Sequence, residues 1–262
     1  MWKKIWLTLG SVILMSSMAA ANPFAQQTCQ QVLPSDWQCV EVPSGASWEW
    51  LVPDPNYRDL VQRYNRQNTG LHAGQLLVVP PSYVSWNSIA PFAQSDYHDQ
   101  LDVIVFDPRR LAWAHYLNGQ LMTWGPAVGG QNWCADKNNG RGGPCRTDVG
   151  SFYFTEAASP TRRSNAYPVN CGQPGGRRCS PMPYFTRFTN QGQGIHARSM
   201  RGENASHGCV GVFEADAIYI NGHVRARVGK SGYGYFNSDQ LLYSQLNIQF
   251  VVLPYDAPSG NS

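Results

Sequence analysis

Two histidines and one cysteine lie in the stretch Gly194–Val212, whose sequence is GIHARSMRGENASHGCVGV. His196 and His207 are the imidazoles nearest in sequence to Cys209. A cysteine is a nucleophile only as thiolate, and a neighbouring imidazole can take the thiol proton. These residue types predict attack of Cys209 on a carbonyl, with a covalent thioester intermediate. The alternative is that Cys209 is a buried small hydrophobe or half of a disulfide.

The cysteine count favours the catalytic interpretation. The chain has seven cysteines, so at least one has no partner within the chain. Cysteines at short separations usually pair in an oxidising compartment, which predicts the disulfides Cys29–Cys39, Cys134–Cys145 and Cys171–Cys179. Spacing alone does not determine this connectivity. Cys209 is left over, and pairing leaves too few thiols for a zinc site, so we expect no metal and no cofactor. His72, His98, His115 and His223 are expected to be structural or at the surface.

Residues 1–21 have the pattern of a secretory signal peptide. Lys3 and Lys4 precede the apolar run Ile5–Met18, and three alanines then offer a cleavage site before Asn22. The apolar run is shorter than the ~18–20 residues that span a bilayer, so we expect cleavage. An uncleaved anchor is the alternative. The sequence therefore predicts an exported, soluble protein with no stable membrane insertion.

The charge distribution is uneven along the chain. The formal net charge is +3, and removing Lys3 and Lys4 leaves 3 − 2 = +1, which does not indicate a nucleic-acid partner. Residues 22–100 hold three arginines and seven acidic residues, whereas residues 131–210 hold nine arginines and one lysine against four acidic residues. A basic surface near Cys209 would favour an anionic substrate. Arg187, Arg198 and Arg201 are the candidate substrate-binding residues.

Residues 22–81 are predicted to form a small β-α-β domain. Strands are expected over 38–42 and 76–79, with an amphipathic helix over 56–67 between them. Pro43-Ser44-Gly45 after the first strand, Asn65 at the helix end and the final GQLLVVP resemble a LysM module, which implies binding to peptidoglycan glycan strands. A small spacer domain is the alternative. Residues 82–100, rich in Ser, Pro and Asn, are interpreted as a linker.

Residues 101–255 read as a second, mainly β domain, followed by a loose tail over 256–262. Asn118-Gly119 is a hairpin signal between two alternating apolar segments. Glu214 to Asn221 is expected to form a short helix over the sheet. The predicted strands cover 102–106, 111–117, 120–128, 149–155, 184–188 and 249–253.

This second domain resembles the L,D-transpeptidase catalytic domain of bacterial cell-wall enzymes. The resemblance is carried by GIH at 194–196 and SHGCV at 206–210, together with MPYFTRF at 182–188 and TDVGSF at 147–152. It implies a β-sandwich with one or two short helices for this domain, which the small β-α-β LysM-like domain precedes. Gly211 departs from the pattern, because family members usually carry Arg or Asn there. The loop between His196 and Ser206 is also shorter than usual.

The resemblance implies roles for the motif residues. Cys209 would be the nucleophile and His196 the base, while Ser206, His207 and Gly208 would support the turn and the oxyanion. The backbone N–H groups of His207, Gly208 and Cys209 form the predicted set of oxyanion donors. The donor would be a peptidoglycan stem tetrapeptide, attacked at meso-diaminopimelate with release of D-Ala, and penem-type β-lactams would acylate Cys209. The acceptor stays open between a second stem peptide, an envelope protein and water. We expect a periplasmic enzyme, with a non-catalytic peptidoglycan-binding or tethering protein as the alternative.

Acceptor choice is expected to depend on two disulfide-closed loops. Gly129–Arg146 and Ala157–Pro183 are long, rich in Gly, Pro and Arg, and each contains one predicted disulfide. A preformed wall lowers the ordering cost of binding. We therefore expect these loops to shape the second substrate groove.

Overall fold

A computed structural model describes residues 22–137, 141–228 and 248–256 of the chain. The predicted signal peptide, and the predicted tail beyond residue 256, lie outside the described residues. Within the described ranges, the longest helices fall short of the length and apolar character needed to cross a bilayer.

The N-terminal unit is built from two strands and three helices. Helix α1 (Pro23–Cys29) precedes β1 (Gln38–Glu41), and the short α2 (Trp48–Leu51) and α3 (Pro55–Tyr64) lead to β2 (Leu76–Val79). The two strands pair antiparallel. Both α2 and α3 start at side-chain caps, in which Ser47 and Asp54 accept hydrogen bonds from backbone N–H groups of the first turn. The predicted β-α-β order is therefore present, with α1 as an addition that the sequence pattern did not reveal.

A buried asparagine holds this unit together. The Asn65 amide donates to the carbonyls of Val61 and Val78 at 2.7 Å each, and its oxygen accepts from the Val78 N–H at 2.8 Å. The end of α3 is thereby fixed to β2, and all these polar groups are satisfied away from water. Cys29–Cys39 ties α1 to β1 on the other side.

The N-terminal unit packs against the second domain through charged and polar contacts. Arg63 on α3 donates to the buried Asp216 carboxylate at 2.7 Å, and Trp113 donates to the other oxygen of Asp216 at 3.2 Å. Asn68 also makes two hydrogen bonds to the backbone of Met200. The side-chain oxygen of Asn68 accepts from the Met200 N–H at 2.7 Å, and the backbone N–H of Asn68 donates to the Met200 carbonyl at 3.1 Å. The segment that follows His196 is therefore held partly by the N-terminal unit.

The second domain contains one nine-stranded mixed sheet. Its spatial order is β6-β11-β3-β4-β5-β10-β9-β8-β7. The strands are β3 (Asp102–Asp107), β4 (Ala112–Leu117), β5 (Gln120–Val128), β6 (Gly150–Tyr153), β7 (Glu156–Ala157), β8 (Thr186–Arg187), β9 (Gly194–Ala197), β10 (Val210–Val212) and β11 (Ile248–Val252).

The two halves of this curled sheet face one another across a shared apolar core. Helix α4 (Glu214–Val228) follows β10 and adds its apolar side to that core. Core members from the first half, the second half and α4 are Ile104, Phe106, Phe250, Ile195, Val210, Val212, Ala217, Ile220 and Val224. The predicted mainly β fold is confirmed, and the two layers of the predicted sandwich belong to one continuous sheet. The helix is longer than the predicted 214–221.

The predicted linker packs closely on the outer face of β3, β4 and β5. It contains a 3-10 turn over Trp86–Ile89, and Trp86 stacks on Trp124 with ring centroids 3.6 Å apart. The two indoles also exchange N–H bonds with each other's backbone carbonyls, at 2.9 and 3.1 Å. The segment therefore covers apolar surface of the sheet, in addition to joining the two domains.

Candidate active site

Strand pairing brings Cys209 and His196 to the same face of the sheet. Strands β9 and β10 are parallel, with Val210 opposite Ile195 and Gly211 opposite His196. Cys209 precedes Val210, which puts it beside Gly194, and a backbone hydrogen bond from Gly194 reaches the thiol. Side chains two apart on a strand share a face. Cys209 lies one residue before β10, and continuing the register of β9 and β10 by that residue places its side chain on the same side of the sheet as that of His196.

Cys209 is the free thiol that the sequence predicted. The structure confirms the three predicted disulfides and leaves Cys209 as a free cysteine with a half-buried side chain. Burial raises the pKa of the Cys209 thiol, against the opposing effects of the Gly194 hydrogen bond and the positive charge of Arg198. A neutral thiol at rest needs a base at the moment of attack.

His196 has the properties of such a base. Its Nδ1 lies 2.9 Å from the carbonyl oxygen of Ala197. A carbonyl only accepts, so Nδ1 carries the hydrogen and Nε2 keeps a free lone pair. Burial, with a smaller effect of the Arg198 charge, lowers the pKa of His196 to about 4. The imidazole is therefore neutral at physiological pH.

The turn before Cys209 is fixed by Ser206 and Gly208. The Ser206 hydroxyl donates to the Cys209 carbonyl and accepts from the Gly208 N–H at 3.1 Å. Gly208 has φ of 120°, a conformation that favours glycine. The Gly208 N–H is thus engaged within the turn. This leaves the N–H groups of His207 and Cys209 as the remaining members of the predicted set of oxyanion donors.

Arg198 fills the space above Gly211. A Cβ built on Gly211 would lie 2.8 Å from Cδ and 2.9 Å from Cβ of Arg198, so the arginine stem occupies the position of a side chain at 211. The guanidinium donates to the carbonyl of Ala205 at 2.9 Å and is close enough to Cys209 to lower the thiol pKa. Gly211, which departs from the family pattern, therefore leaves the space in which the side chain of Arg198 lies over the site.

The other two candidate arginines are engaged by carboxylates. Arg187 pairs with Glu156 at 3.0 Å across the neighbouring strands β8 and β7, and Arg201 pairs with Glu203. Among the described residues, Arg198 makes no ion pair with a carboxylate. Of the three predicted substrate-binding arginines, Arg198 is thus the one whose charge acts on the thiol of Cys209. Its guanidinium forms no ion pair with any carboxylate that the structure describes.

The sequence did not reveal two neighbours of His207. Asp136 accepts from Nε2 of His207, with distances of 2.9 and 3.2 Å to its two oxygens. The ring of Tyr167 lies on the His207 ring, with centroids 4.0 Å apart. Both come from the disulfide-closed loops, and Asp136 is 71 positions from His207, so no local pattern predicts the contact.

In the part of the chain that the structure describes, two clusters have the residue types of a metal site. Asp102, His115 and His223 form the first, but both imidazoles donate to the Asp102 carboxylate, and Arg227 lies 2.8 Å from it. A neighbouring arginine opposes a bound cation, so this cluster is a hydrogen-bonded ion-pair network. The second cluster includes Cys134, whose sulfur is in a disulfide and is not available as a thiolate ligand.

One comparison with known proteins identifies a family. A family model, YkuD, described as the L,D-transpeptidase catalytic domain, matches residues 101–231, half of the chain. A comparison with curated proteins gives no match.

Solved structures with similarity to the chain include three L,D-transpeptidases. The one from Xylanimonas cellulosilytica is 16% identical, with 73% of this chain and 78% of that chain covered and a TM-score of 0.45. The one from Stackebrandtia nassauensis is 14% identical, with 67% of this chain and 64% of that chain covered and a TM-score of 0.39. L,D-transpeptidase 3 from Mycobacterium tuberculosis, in complex with a faropenem-derived adduct, is 16% identical, with 58% of this chain and 60% of that chain covered and a TM-score of 0.40. The family assignment rests on the family model: the protein belongs to the L,D-transpeptidase catalytic domain family.

Proposed function

We propose that the protein is an exported L,D-transpeptidase that acts on peptidoglycan stem peptides through a thioester at Cys209. The observation that carries the proposal is the pairing of β9 with β10, which supports a position for the free thiol of Cys209 on the same side of the sheet as His196, whose Nδ1 is bound to a carbonyl. The family match to a catalytic domain that acts on peptidoglycan supports the choice of substrate. The three disulfides support an oxidising, periplasmic location.

Acylation uses the two neutral groups together. Nε2 of His196 takes the thiol proton as the sulfur of Cys209 attacks the carbonyl of meso-diaminopimelate in a tetrapeptide donor. The tetrahedral oxyanion accepts hydrogen bonds from the N–H groups of His207 and Cys209, which are worth ~10²–10³ in rate for each donor. The C–N bond then breaks, and D-Ala leaves with the proton that His196 returns to its amine.

Arg198 is proposed as the residue that binds a donor carboxylate. Its guanidinium is held by Ala205 and has no carboxylate partner among the described residues. An arginine fork suits a carboxylate, and the stem peptide carries several. The LysM-like N-terminal unit is proposed to bring the domain to glycan strands.

Transfer of the acyl group completes the reaction. Attack of a stem-peptide amine on the thioester gives a 3–3 cross-link, and attack of an amine on an envelope protein attaches that protein to peptidoglycan. Attack of water instead would make the protein an L,D-carboxypeptidase. The amine acceptors are proposed as the main route, since the basic loops beside the site suit an acceptor that carries carboxylates.

The test is product formation from a defined donor. The mature protein is incubated with a disaccharide tetrapeptide, with and without an amine acceptor, and the products are identified by mass. We expect release of D-Ala and a new amide, both abolished by Cys209→Ala and unaffected by His98→Ala, which changes an exposed side chain of the linker. Equal D-Ala release by wild type and Cys209→Ala would overturn the proposal.

A second candidate is a non-catalytic peptidoglycan-binding or tethering protein. The observation that favours it is the N-terminal unit, which packs on the segment after His196 through Asn68 and Met200. It predicts pelleting with sacculi that survives Cys209→Ala and no change in the muropeptide profile on overexpression. New 3–3 dimers in that profile would exclude this candidate.

A further inference from the structure

The two histidines beside Cys209 are fixed in opposite tautomers. His196 donates from Nδ1 to a backbone carbonyl, whereas His207 donates from Nε2 to the Asp136 carboxylate. Both partners only accept, so the free lone pair is on Nε2 of His196 and on Nδ1 of His207. The Gly194–Val212 stretch therefore supplies, besides the one thiol, two imidazoles that each have a lone pair available to take a proton. The acylation step described above uses only one of them.

The surroundings of these histidines differ in charge. His196 is buried, and its fixed partner is an uncharged carbonyl. His207 is about a third exposed at its side chain, and its fixed partner is the carboxylate of Asp136. Of the two imidazoles, His207 is thus the one that a group arriving from the solvent side can reach.

Two disulfide-closed loops meet on His207. Asp136 lies in the first loop, within the ring closed by Cys134–Cys145. Tyr167 lies in the second loop, and its carbonyl accepts from the N–H of Ser180, next to Cys179 of the other disulfide.

The remaining polar groups around His207 complete the cluster. The Tyr167 hydroxyl is close enough to the Asp136 carboxylate to help lower the pKa of that carboxyl, so the two residues that contact His207 also approach each other. The charged groups near Tyr167 are Arg177 from the second loop and Arg198 from the segment after β9. Asp136 and Tyr167 therefore reach His207 from two loops, each of which contains its own disulfide. Arg177 and Arg198 lie near Tyr167.

We propose that His207 is the base of the transfer step and that Asp136 and Tyr167 are its positioning residues. The inference rests on the proposed function. The lone pair of an acceptor amine attacks the thioester carbonyl, and its N–H proton passes to Nδ1 of His207. The C–N bond forms, the C–S bond breaks, and the electron pair returns to the Cys209 sulfur. The proton on His207 then passes to that sulfur, restoring the thiol and the neutral imidazole.

The experiment separates acylation from transfer. Wild type, Asp136→Asn, Tyr167→Phe and the control Asp148→Asn, which changes an exposed aspartate nearby, are each assayed in two ways. The first assay is the rate of covalent adduct formation with a carbapenem, by intact mass. The second is kcat and KM for an amine acceptor with a tetrapeptide donor.

We expect Asp136→Asn to lower kcat for transfer by at least about tenfold, since general base catalysis contributes ~10²–10⁴, with KM for the acceptor and the acylation rate within about twofold of wild type. Tyr167→Phe keeps the stacked ring and should lower the same kcat by a smaller factor. Asp136→Glu should restore part of the loss, and Asp148→Asn should match wild type.

Three results would overturn the inference. Equal losses of acylation and transfer in Asp136→Asn would show that the cluster supports the whole site, and an unchanged transfer kcat would show that it supports neither step. An acceptor KM that rises while kcat stays constant would assign the cluster to binding alone. A wild type that forms no adduct at all would instead overturn the proposed function itself, so the two failures are distinguishable.

Discussion

The pH dependence of acylation follows directly from the surroundings of His196. A histidine with an ordinary pKa of about 6.5 would be only about 9% neutral at pH 5.5. Burial lowers the pKa of His196 to about 4, so about 97% of it stays neutral at that pH. Because a neutral imidazole is the competent base, the acylation rate should change by less than about 10% between pH 7 and pH 5.5. The rate with an unperturbed base would fall about eightfold over the same range.

The assay is the single-turnover rate of carbapenem adduct formation from pH 4 to pH 8, quenched and measured by intact mass. We expect half of the rate to be lost near pH 4. Arg198→Met provides an internal check, since removing the positive charge raises the pKa of His196 and moves this limb to higher pH. Loss of half of the rate near pH 6.5 in the wild type would refute the assignment of a buried, neutral His196 as the base.

Further predictions concern packing and charge. Gly211→Ala should displace the side-chain stem of Arg198 and lower the acylation rate by about tenfold. Gly222→Ala is the control, because an added Cβ there meets open space, and it should leave the rate unchanged. Equal acylation rates for Gly211→Ala and the wild type would contradict the role of the space at Gly211. Hydrogen bonds from two histidines outweigh burial and hold the pKa of Asp102 well below its ordinary value. Its contribution to stability is therefore present above pH 4 and is lost as pH falls further, so Asp102→Asn should lower the unfolding free energy by about 2–3 kcal/mol at pH 7 and by less at pH 3 in urea titrations. Asp216→Ala removes the buried carboxylate that Arg63 and Trp113 share and leaves Arg63 paired only with the exposed Asp59, so it should cost about 3 kcal/mol in the same assay. A loss below about 1 kcal/mol would show that water replaces the carboxylate.

Much of the fold could be predicted because its signals are local. Asn118 and Gly119 both have positive φ, at 49° and 75°, as the predicted hairpin requires. The strands on either side of this turn match the predicted ranges to within one residue, since alternation of apolar side chains is visible in the sequence. The disulfides were predictable for the same reason, because each closes a short loop.

The features that were missed depend on contacts between distant segments. Asp136 is an ordinary loop aspartate in the sequence, and only the closed loop brings it to His207. Arg198 could be proposed as basic and near the motif, but its position over Gly211 depends on the pairing of β10 with β9. Helix α1 is seven residues long and packs beside β2, and the Cys29–Cys39 disulfide joins its last residue to β1. Tertiary contacts therefore stabilise this helix more than its own sequence does.

The central claim is that Cys209 is the acylated nucleophile, and carbapenem labelling tests it most directly. The oxidised, mature protein is incubated with a carbapenem, measured by intact mass and then mapped by peptide. We predict one adduct per chain on the peptide that contains Cys209, and no adduct in Cys209→Ala. No adduct in the wild type, or the same adduct in Cys209→Ala, would contradict the account.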